Sequence, residues 1–560
     1  MFHVEHFSLF RQIIKITGME SVKGNVVDVH NCLVFPGEVL FNEGRIIKVN
    51  KLNGSFENYI MPGFVDSHVH IESSMLTPSG FAKIAVRHGT VAVVSDPHEI
   101  ANVLGIEGVS LMINDGNKVP VKFFFGAPSC VPATDFENSG ARITASDIKI
   151  LMKRDDIYFL SEMMNYTGVI TGDAECLDKI KTSLKLGKKV DGHAPGLTGK
   201  DLEIYINAGI TTDHECSTHE EGVEKIKRGI IVQIREGSAA KNFNSLYKLI
   251  EEYPESTMLC TDDCHAHDLL KEHINGIIAK GVKKGVDLFK ILRAATINPV
   301  MHYGLPVGML KPGDDADFIV TKNLEDFNPF EVFIKGRKVY SEGEILFDHN
   351  ENIRINENFR SKQIETSELE ITPGKSKMNV IGVLNNQLYT KALKVLPKIE
   401  NGLVVHDPEK DICKIIVVNK YKDQKCAIGF VSGFGFSEGA IAGSVAHDSH
   451  NIIAVGTNDA HIVMVVNKIL EEGGGLAAFT GSEFKFLRLE IGGLMTNRDG
   501  LEVAESQTEI DKFAQSMGTS LKSPFMTLSF MSLLVIPELK ISDKGLFDVN
   551  NLKFSPLFDF

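Results

Sequence analysis

A chain of 560 residues is too long for one ordinary hydrophobic core, so its length excludes a single small binding module and predicts about two to four domains. Its 43% hydrophobic and 24% charged residues are globular averages, which excludes a disordered, collagen-like or coiled-coil protein. The formal net charge of -14, with no run of basic residues, argues against duplex nucleic acid as a partner.

The sequence has no segment typical of export or of membrane insertion. Its start, MFHVEHFSLF, lacks the basic stretch and the unbroken apolar stretch of a signal peptide. The longest apolar stretch, residues 525–536, contains Thr527, Ser529 and Ser532, which makes it short for a membrane span. The eight cysteines are scattered, and a cytoplasmic location would keep their thiols reduced. We therefore expect a soluble cytoplasmic protein without disulfides and without a membrane partner.

Residues 1–60 contain β-rich segments that are punctuated by glycine. The clearest are GNVVDVH and CLVFPGEVLFNEGRIIKVN. Short strands of this kind are typical of hairpins in a small sheet. We therefore predict the N-terminal part of a β-sandwich in this region.

Eight short apolar runs follow from residue 61 onwards, separated by stretches with helical periodicity. The runs are IMPGFVDSHVH, TVAVVSD, VKFFFGA, IYFLSEM, KVDGH, GITTDH, IIVQIRE and TMLCTDD. Eight strand–helix units within residues 61–304 have the length and number of a (β/α)8 barrel, the TIM-barrel fold. Polar residues cluster at the end of each run, and the C-terminal ends of barrel strands are where the chemistry of this fold lies.

The remaining chain predicts three further units. Residues 305–350 return to short β segments, ADFIVTK and FEVFIKGRKVYSEGEILFD, which would complete the β-sandwich around the barrel. Residues 351–376 are poor in large apolar side chains and predict a linker. Residues 377–560 combine β-like runs, KIIVVNK and CAIGFVSGF, with a helical stretch around DAHIVMVVNKILEEGG. The predicted fold class is therefore α/β: a barrel inserted in a small β-sandwich, followed by a C-terminal α+β domain.

The strand ends carry residues of the kind that bind metal ions. Because side chains alternate along a strand, His68 and His70 point to the same side and can reach one ion. Further candidate ligands end later strands: Glu162, His193, His214 and Asp262. Imidazole and carboxylate ligands suit Zn, Fe or Mn. Six ligands are too many for one tetrahedral ion and sufficient for two bridged ions.

Eight segments also carry a family resemblance: MPGFVDSHVHIESSM, SDPHEIANVLG, SEMMNY, DGHAPGL, TTDHE, REGSAAKN, GLPVGMLKPGDDADFIV and SGFGFSEGAIAGSVAHDSHNIIAVGTND. In these segments the chain resembles the adenine deaminases of the amidohydrolase superfamily. The resemblance covers nearly the whole chain and is weakest before residue 20 and between 340 and 375. It implies hydrolysis of free adenine to hypoxanthine and ammonia by a binuclear Fe or Mn centre, with Zn as a further candidate. We expect adenine as the small-molecule partner, and a homo-oligomer, a dimer.

Position by position, the resemblance assigns the six candidate ligands to the metal positions of the superfamily. Binuclear hydantoinases and dihydroorotases place a carbamylated lysine where this chain has Glu162, which would then bridge the two ions without modification. Asp262 would take a proton from the attacking water and pass it to the departing ammonia. Glu162 and Asp262 are thus the predicted catalytic residues.

Protonation of ring nitrogen N1 needs a second acid, for which Glu72 and Asp263 are candidates. The alternative is that both are solvated carboxylates, or carboxylates behind the ligands that orient His68 and His70. His98 and Glu99 could bind a further metal ion or the substrate, or could belong to a helix-capping turn.

Arg235 could hold an acceptor atom of the substrate ring or support Asp262. The alternative for Arg235, with its neighbour Glu236, is a surface salt bridge.

The C-terminal unit contains a dense polar segment, Gly443 to Asn451, between apolar runs. Loops held by a rigid scaffold often carry function. We predict that this loop lies over the barrel mouth and places His447 or His450 near the substrate. The alternative is a turn that satisfies its own backbone.

Two other functions fit the same residues. A binuclear amidohydrolase could instead cleave a cyclic amide or an N-acetyl group. A barrel without activity could serve as a scaffold, although the six filled ligand positions argue against that. Ammonia release from adenine would distinguish adenine deamination from the first alternative. Metal analysis would distinguish a metal-dependent enzyme from the second alternative, the scaffold.

Overall fold

The computed structural model describes residues 19–238, 240–348, 353, 355, 359–385 and 387–558. The first 18 residues of the predicted β-sandwich, and most of the junction between it and the linker, lie outside the described residues. The described chain begins with four strands: β1 (Glu20–Asp28), β2 (Leu33–Asn42), β3 (Arg45–Lys51) and β4 (Tyr59–Pro62).

The next strands form the barrel: β5 (Phe64–His70), β6 (Thr90–Ser95), β7 (Lys122–Ala127), β8 (Ile157–Met163), β9 (Lys189–Gly192), β10 (Thr212–Asp213), β11 (Ile231–Arg235), β12 (Thr257–Cys260) and β13 (Asp262–Asp263). Strands β5 to β9 pair in parallel and in chain order, as do β10 to β12. The Thr211 N–H donates to the Val190 carbonyl between β9 and β10, and β13 pairs with β5. The predicted TIM-like barrel is confirmed, and each of the eight apolar runs supplies a strand, with the last run supplying both β12 and β13.

Helices lie between the barrel strands and after the last of them: α1 (Pro78–Ala85), α2 (His98–Leu104), α3 (Ile106–Gly116), α4 (Ala145–Leu151), α5 (Tyr166–Thr171), α6 (Ala174–Lys185), α7 (Gly199–Asn207), α8 (His219–Lys227), α9 (Phe243–Leu246), α10 (Lys248–Glu252), α11 (Ala266–Leu269), α12 (Ile274–Lys283), α13 (Leu288–Ala295) and α14 (Ile297–Tyr303). Capping side chains set several starts, because they accept backbone N–H groups that the helix leaves unpaired. Asp173 caps α6, Thr218 caps α8 and Asp287 caps α13.

Four strands follow the barrel: β14 (Phe318–Thr321), β15 (Pro329–Ile334), β16 (Arg337–Ser341) and β17 (Glu344–Ile345). Antiparallel pairing of β14 with β4 joins them to the N-terminal strands in one eight-stranded sheet of order β17-β16-β15-β14-β4-β1-β2-β3. Phe41, Phe318 and Phe333 form its aromatic core. The two flanks therefore share one sheet, as predicted, while a sandwich arrangement and the unit boundaries stay predictions.

The C-terminal unit contains β18 (Met378–Val383), β19 (Thr390–Val395), β20 (Lys398–Glu400), β21 (Leu403–Val405), β22 (Ile412–Val418), β23 (Ala427–Ser432), β24 (Ala440–Gly443), β25 (Ile452–Gly456), α15 (Asp459–Glu472), β26 (Gly475–Phe479), β27 (Phe484–Arg488), α16 (Gly500–Gln515), α17 (Pro524–Ser529), β28 (Leu539–Ser542), β29 (Gly545–Asp548) and β30 (Lys553–Phe554). Its main sheet has the order β19-β18-β23-β22-β25-β24-β26-β27. The apolar face of α15, with Ile462 and Val466, packs on Ile416 and Ile452 of this sheet. The predicted strands and helix are present.

Hydrogen bonds connect the C-terminal unit to the barrel. Asp543 accepts from the backbone and side chain of Asn138, 2.9 and 2.6 Å away, and the Thr496 N–H donates to the Met75 carbonyl. All eight cysteine thiols are free. Among the described residues, no helix is both long enough and apolar enough to cross a bilayer.

Candidate metal centre and active site

His68 and His70 lie at the end of β5 and are both buried, with their Nε2 atoms 3.2 Å apart. The strand end is fixed by Asp66, whose carboxylate accepts the N–H groups of His68 and Thr261. Nδ1 of His70 lies 3.1 Å from the Asp96 carbonyl oxygen. Because a carbonyl can only accept, the ring hydrogen is on Nδ1, and the Nε2 lone pair of His70 faces the centre of the site.

Glu162, at the end of β8, lies between two groups of imidazoles. Its Oε1 is 3.3 Å from Nε2 of His70, whereas its Oε2 is 2.8 Å from Nδ1 of His193 and 3.0 Å from Nε2 of His214. The carboxylate therefore spans the position that a ligand shared by two ions would take.

Asp262 opens the short strand β13, beside β5. Its Oδ1 lies 3.2 Å from Nε2 of His70 and 3.7 Å from Nε2 of His68, while its Oδ2 accepts a hydrogen bond from Arg235. Burial opposes the charge on this carboxylate, but Arg235 and His214 hold the pKa of Asp262 well below its usual value. Asp262 is therefore an ionised acceptor with one oxygen directed at the two histidines.

These six residues fit a pair of divalent transition-metal ions. They offer only imidazole nitrogens and carboxylate oxygens, and all are buried. Within the described part of the chain, Nε2 of His193 and Nδ1 of His68 and His214 have no hydrogen-bond partner. The rings of His68 and His214 stack 4.1 Å apart. The facing nitrogens, Nε2 of His68 and Nε2 of His70, are only 3.2 Å apart, and bound cations would satisfy lone pairs held this close.

The two candidates for a second acid lie beside this centre. Glu72 is buried, accepts the Ile100 N–H through Oε1 at 3.1 Å, and has no partner for Oε2 in the described structure. Burial raises the pKa of Glu72 to about 7. Burial and the neighbouring Asp262 also raise the pKa of Asp263, which accepts from Ser73 Oγ at 2.5 Å. Burial excludes a solvated carboxylate for Glu72, while the other part of the alternative, a carboxylate that orients His68 and His70, stays a prediction.

Arg235 is buried and does not form a surface salt bridge. Its guanidinium binds both Asp262 and Glu215, with Glu215 Oε1 at 2.5 Å from Nη1. Glu236 instead pairs with Lys280. The structure therefore supports the alternative in which Arg235 supports Asp262.

His98 and Glu99 begin α2, and the two side chains have different partners. Nδ1 of His98 lies 3.0 Å from Asp96 and 3.5 Å from Glu162, so this ring is next to the candidate metal centre. Asp96 also accepts the His98 N–H, which is the helix-capping contact of the alternative interpretation. Glu99 instead contacts the C-terminal unit through His447.

The polar loop of residues 444–451 connects β24 to β25. Nδ1 of His447 lies 2.6 Å from Oε1 of Glu99, and Nε2 of His450 contacts Oε2 of the same carboxylate. The loop is also bonded internally, since the His450 N–H donates to the Ala446 carbonyl at 2.7 Å. The turn of the alternative interpretation is thus present, and its histidines reach the barrel beside His98.

Sequence reasoning did not single out Glu215 or Asp96. Glu215 Oε1 lies 3.6 Å from Nδ1 of His193 and 3.5 Å from Nε2 of His214. Both carboxylates follow barrel strands directly, in TTDHE and VSDPHE. That position at a strand end was the available signal, and it does not distinguish a ligand from a residue that orients one.

A parallel barrel whose strand ends bring together four histidines, a glutamate and an aspartate defines a metal-dependent hydrolase. Residues 59–339 match the amidohydrolase family, and residues 387–553 match the adenine deaminase C-terminal domain. The adenine deaminase of Methanosarcina acetivorans is 50% identical over 550 residues, covering 96% of this chain and 100% of that protein. The adenine deaminase of Borreliella burgdorferi is 45% identical over 545 residues, covering 95% and 98%. The chain belongs to the adenine deaminase family.

Proposed function

We propose that this protein hydrolyses adenine to hypoxanthine and ammonia. The observation that carries the proposal is the likeness to adenine deaminases along the whole chain, C-terminal domain included. The geometry of the barrel agrees with it, since Glu162 lies between two groups of ligands and Asp262 has an ionised oxygen beside them.

We propose that His68, His70, Glu162, His193, His214 and Asp262 hold two divalent ions, Fe or Mn, with Zn as a further candidate. When bound, such ions lower the pKa of water so that a hydroxide nucleophile is available at neutral pH. Glu162 is proposed to bridge the two ion positions, since each oxygen faces a different group of imidazoles. Arg235 occupies the second oxygen of Asp262 and leaves the first oxygen to act in proton transfer.

In the proposed reaction, Asp262 accepts a proton from the attacking water and donates it to the leaving amino group. Addition at C6 places negative charge on N1 of the purine ring, so a second acid must supply a proton there. Glu72 and Asp263 are candidates from the barrel: burial raises the pKa of both, and the value of about 7 for Glu72 fits a carboxyl group that keeps a proton near neutral pH.

The test is an assay of ammonia release by purified protein loaded with Mn or Fe, with adenine, adenosine, guanine and cytosine as substrates. We expect adenine alone to react efficiently, with two metal ions bound per chain. Cleavage of a cyclic amide or an N-acetyl group without ammonia release would identify another amidohydrolase. Absence of stoichiometric metal would identify a scaffold.

We further propose a cytoplasmic enzyme of purine metabolism that assembles as a homodimer. Support for the compartment comes from the eight free thiols, of which six are buried, since a reducing cytoplasm keeps thiols in this state. Light scattering of the purified protein tests the dimer.

A further inference from the structure

A second cluster of titratable groups lies outside the six candidate ligands, and the proposed reaction does not yet use it. The Glu99 cluster consists of Glu99 from the barrel with His447 and His450 from the C-terminal unit. Each of the three is at most 3% exposed. Burial opposes the charge on Glu99, but His447 and His450 hold the pKa of Glu99 well below its usual value. The cluster is therefore a buried carboxylate between two imidazoles.

The hydrogen bonds of His450 indicate that it positions Glu99. The Ala446 N–H donates to Nδ1 of His450 at 3.2 Å, so the ring hydrogen of neutral His450 is on Nε2. That Nε2 hydrogen is then donated to Oε2 of Glu99. A nitrogen that carries a hydrogen cannot be a metal ligand, so these contacts do not fit a third metal ion.

His447 has a different arrangement. Its Nδ1 hydrogen is donated to Oε1 of Glu99 at 2.6 Å, and its ring stacks on Phe530 with ring centres 4.5 Å apart. A carboxylate behind one nitrogen of an imidazole fixes the ring and stabilises its protonated form. The other nitrogen, Nε2, is the atom with which His447 can reach a substrate.

His447 lines a small cavity together with Glu72, Ser73 and His265. Ser73 donates to Asp263, the neighbour of Asp262, so this cavity adjoins the candidate metal centre. Met526 lines both this cavity and an open one of about 550 Å³, and a methionine side chain is flexible enough to move aside. Movement of Met526 would open the small cavity to the larger one, and a purine admitted in this way would lie beside both His447 and the candidate metal centre.

We propose that His447 is the acid that protonates N1 of adenine, and that Glu99 and His450 are its positioning residues. This inference rests on the function proposed above. It assigns a catalytic residue to the C-terminal unit, whereas the candidate ligands all belong to the barrel. Burial opposes the charge on His447, but Glu99 raises the pKa of His447 to about 9, so the imidazole carries the required proton at neutral pH.

The protons balance as follows. Hydroxide forms a bond to C6 after Asp262 has accepted the other water proton, and the Nε2 proton of His447 moves to N1. The intermediate then carries OH and NH2 on C6. When it collapses, the C6–N bond breaks, and Asp262 gives its proton to the departing nitrogen, which leaves as ammonia. The C6 hydroxyl returns its proton to Nε2 of His447, so hypoxanthine forms and both residues are restored.

The experiment compares His447→Gln with wild type in the full-length, Mn-loaded protein. We expect normal metal content and melting temperature, a loss in kcat of at least about 100-fold, and loss of the alkaline limb of the pH profile. Hypoxanthine binding, measured by calorimetry, should weaken about tenfold because its C6 oxygen loses the charged N–H donor of His447. Imidazole added to His447→Ala should restore part of the activity.

The control is His219→Gln, on the outer surface of the barrel next to Glu252, which should behave as wild type. Glu99→Gln should shift the pH profile and lower kcat with little change in KM. Unchanged kcat in His447→Gln would overturn the inference, and so would loss of metal or of cooperative unfolding, since His447 would then be structural. If wild type itself releases no ammonia from adenine, the proposed function fails instead.

Discussion

Two buried carboxylates at the site each use their two oxygens for different partners. Glu162 faces His70 with one oxygen and His193 with the other. Asp262 faces His70 and Arg235 in the same way. An amide keeps only one oxygen acceptor. Replacement of either carboxylate by its amide therefore leaves only one of its two partners with an oxygen acceptor.

Glu162→Gln should lower metal content below two ions per chain and abolish ammonia release, because an amide cannot bridge two cations as a carboxylate does. Metal analysis after gel filtration, together with the adenine assay, measures both effects. Glu203→Gln, an exposed position on α7, is the control. Full activity with two ions retained would contradict the bridging role.

Asp262→Asn should reduce turnover at least ~10³-fold, because the amide neither accepts the water proton nor carries it to the leaving group. The variant should stay folded, since the amide oxygen can still accept from Arg235. Steady-state kinetics on metal-loaded protein checks this. A loss under tenfold would move proton transfer to another residue.

At the scale of elements, loops after the barrel strands meet loops of the C-terminal unit. Glu137, which follows β7, accepts hydrogen bonds from Thr134 and from Ser449 of the 444–451 loop. Asn451 of that loop donates to the Asn138 carbonyl at 2.8 Å. Loops on this face of a barrel set the shape of the substrate pocket.

Glu137→Gln should stabilise the protein increasingly as the pH rises. Burial raises the pKa of Glu137 to about 8, whereas an unfolded chain has a value near 4.3. The folded protein keeps a proton that the unfolded chain releases between these values, so this group lowers stability as the pH rises through that window.

The glutamine has no such proton to lose. The melting temperature of Glu137→Gln, measured at pH 5, 6.5 and 8, should therefore exceed that of wild type by an amount that grows with pH. Asp135→Asn, exposed in the same loop, is the control. A difference independent of pH would contradict a protonated Glu137.

Selectivity for the free base also depends on how these elements enclose the site. The site is enclosed by loops of the barrel and by α17 of the C-terminal unit, whose Met526 lines the small cavity. A ribose on the purine would have to fit between these elements. The kcat/KM for adenosine should therefore be far below that for adenine, and comparable values would indicate a nucleoside deaminase.

At the scale of the whole molecule, the C-terminal unit is held to the barrel by buried polar contacts. Asp543 accepts hydrogen bonds from Asn138, Asn419 and Gln424, and is 3% exposed. A carboxylate with several donors connects the two units at one point. Its removal leaves those donors without an acceptor.

Asp543→Ala should therefore lower the free energy of unfolding by about 1–3 kcal/mol and lower kcat through displacement of the 444–451 loop. Chemical denaturation and the adenine assay measure the two effects. Asp548→Ala on the same hairpin is the control, because the Asp548 carboxylate accepts from the backbone and side chain of nearby Asn551 in an exposed turn. Equal behaviour of the two variants would show that Asp543 does not connect the units.

The sequence by itself determined the barrel and the six candidate ligands. Both depend on local periodicity: alternation directs His68 and His70 to one side, and a strand end is visible as an apolar run that turns polar. The resemblance added the bridging role of Glu162 and the choice of adenine.

Only the tertiary structure decided which distant residues meet. Glu99 and His447 are separated by 348 positions, and no spacing rule predicts their contact. The burial of Arg235 and its contact with Glu215 also depend on how β10, β11 and β13 pack around the barrel axis. Periodicity specifies the face on which a side chain lies, whereas its partner is set by packing between segments remote in the chain. The sequence could not separate the roles of His447 and His450, and their contacts do so. Nδ1 of His450 accepts the Ala446 N–H of the backbone, whereas Nδ1 of His447 contacts Glu99.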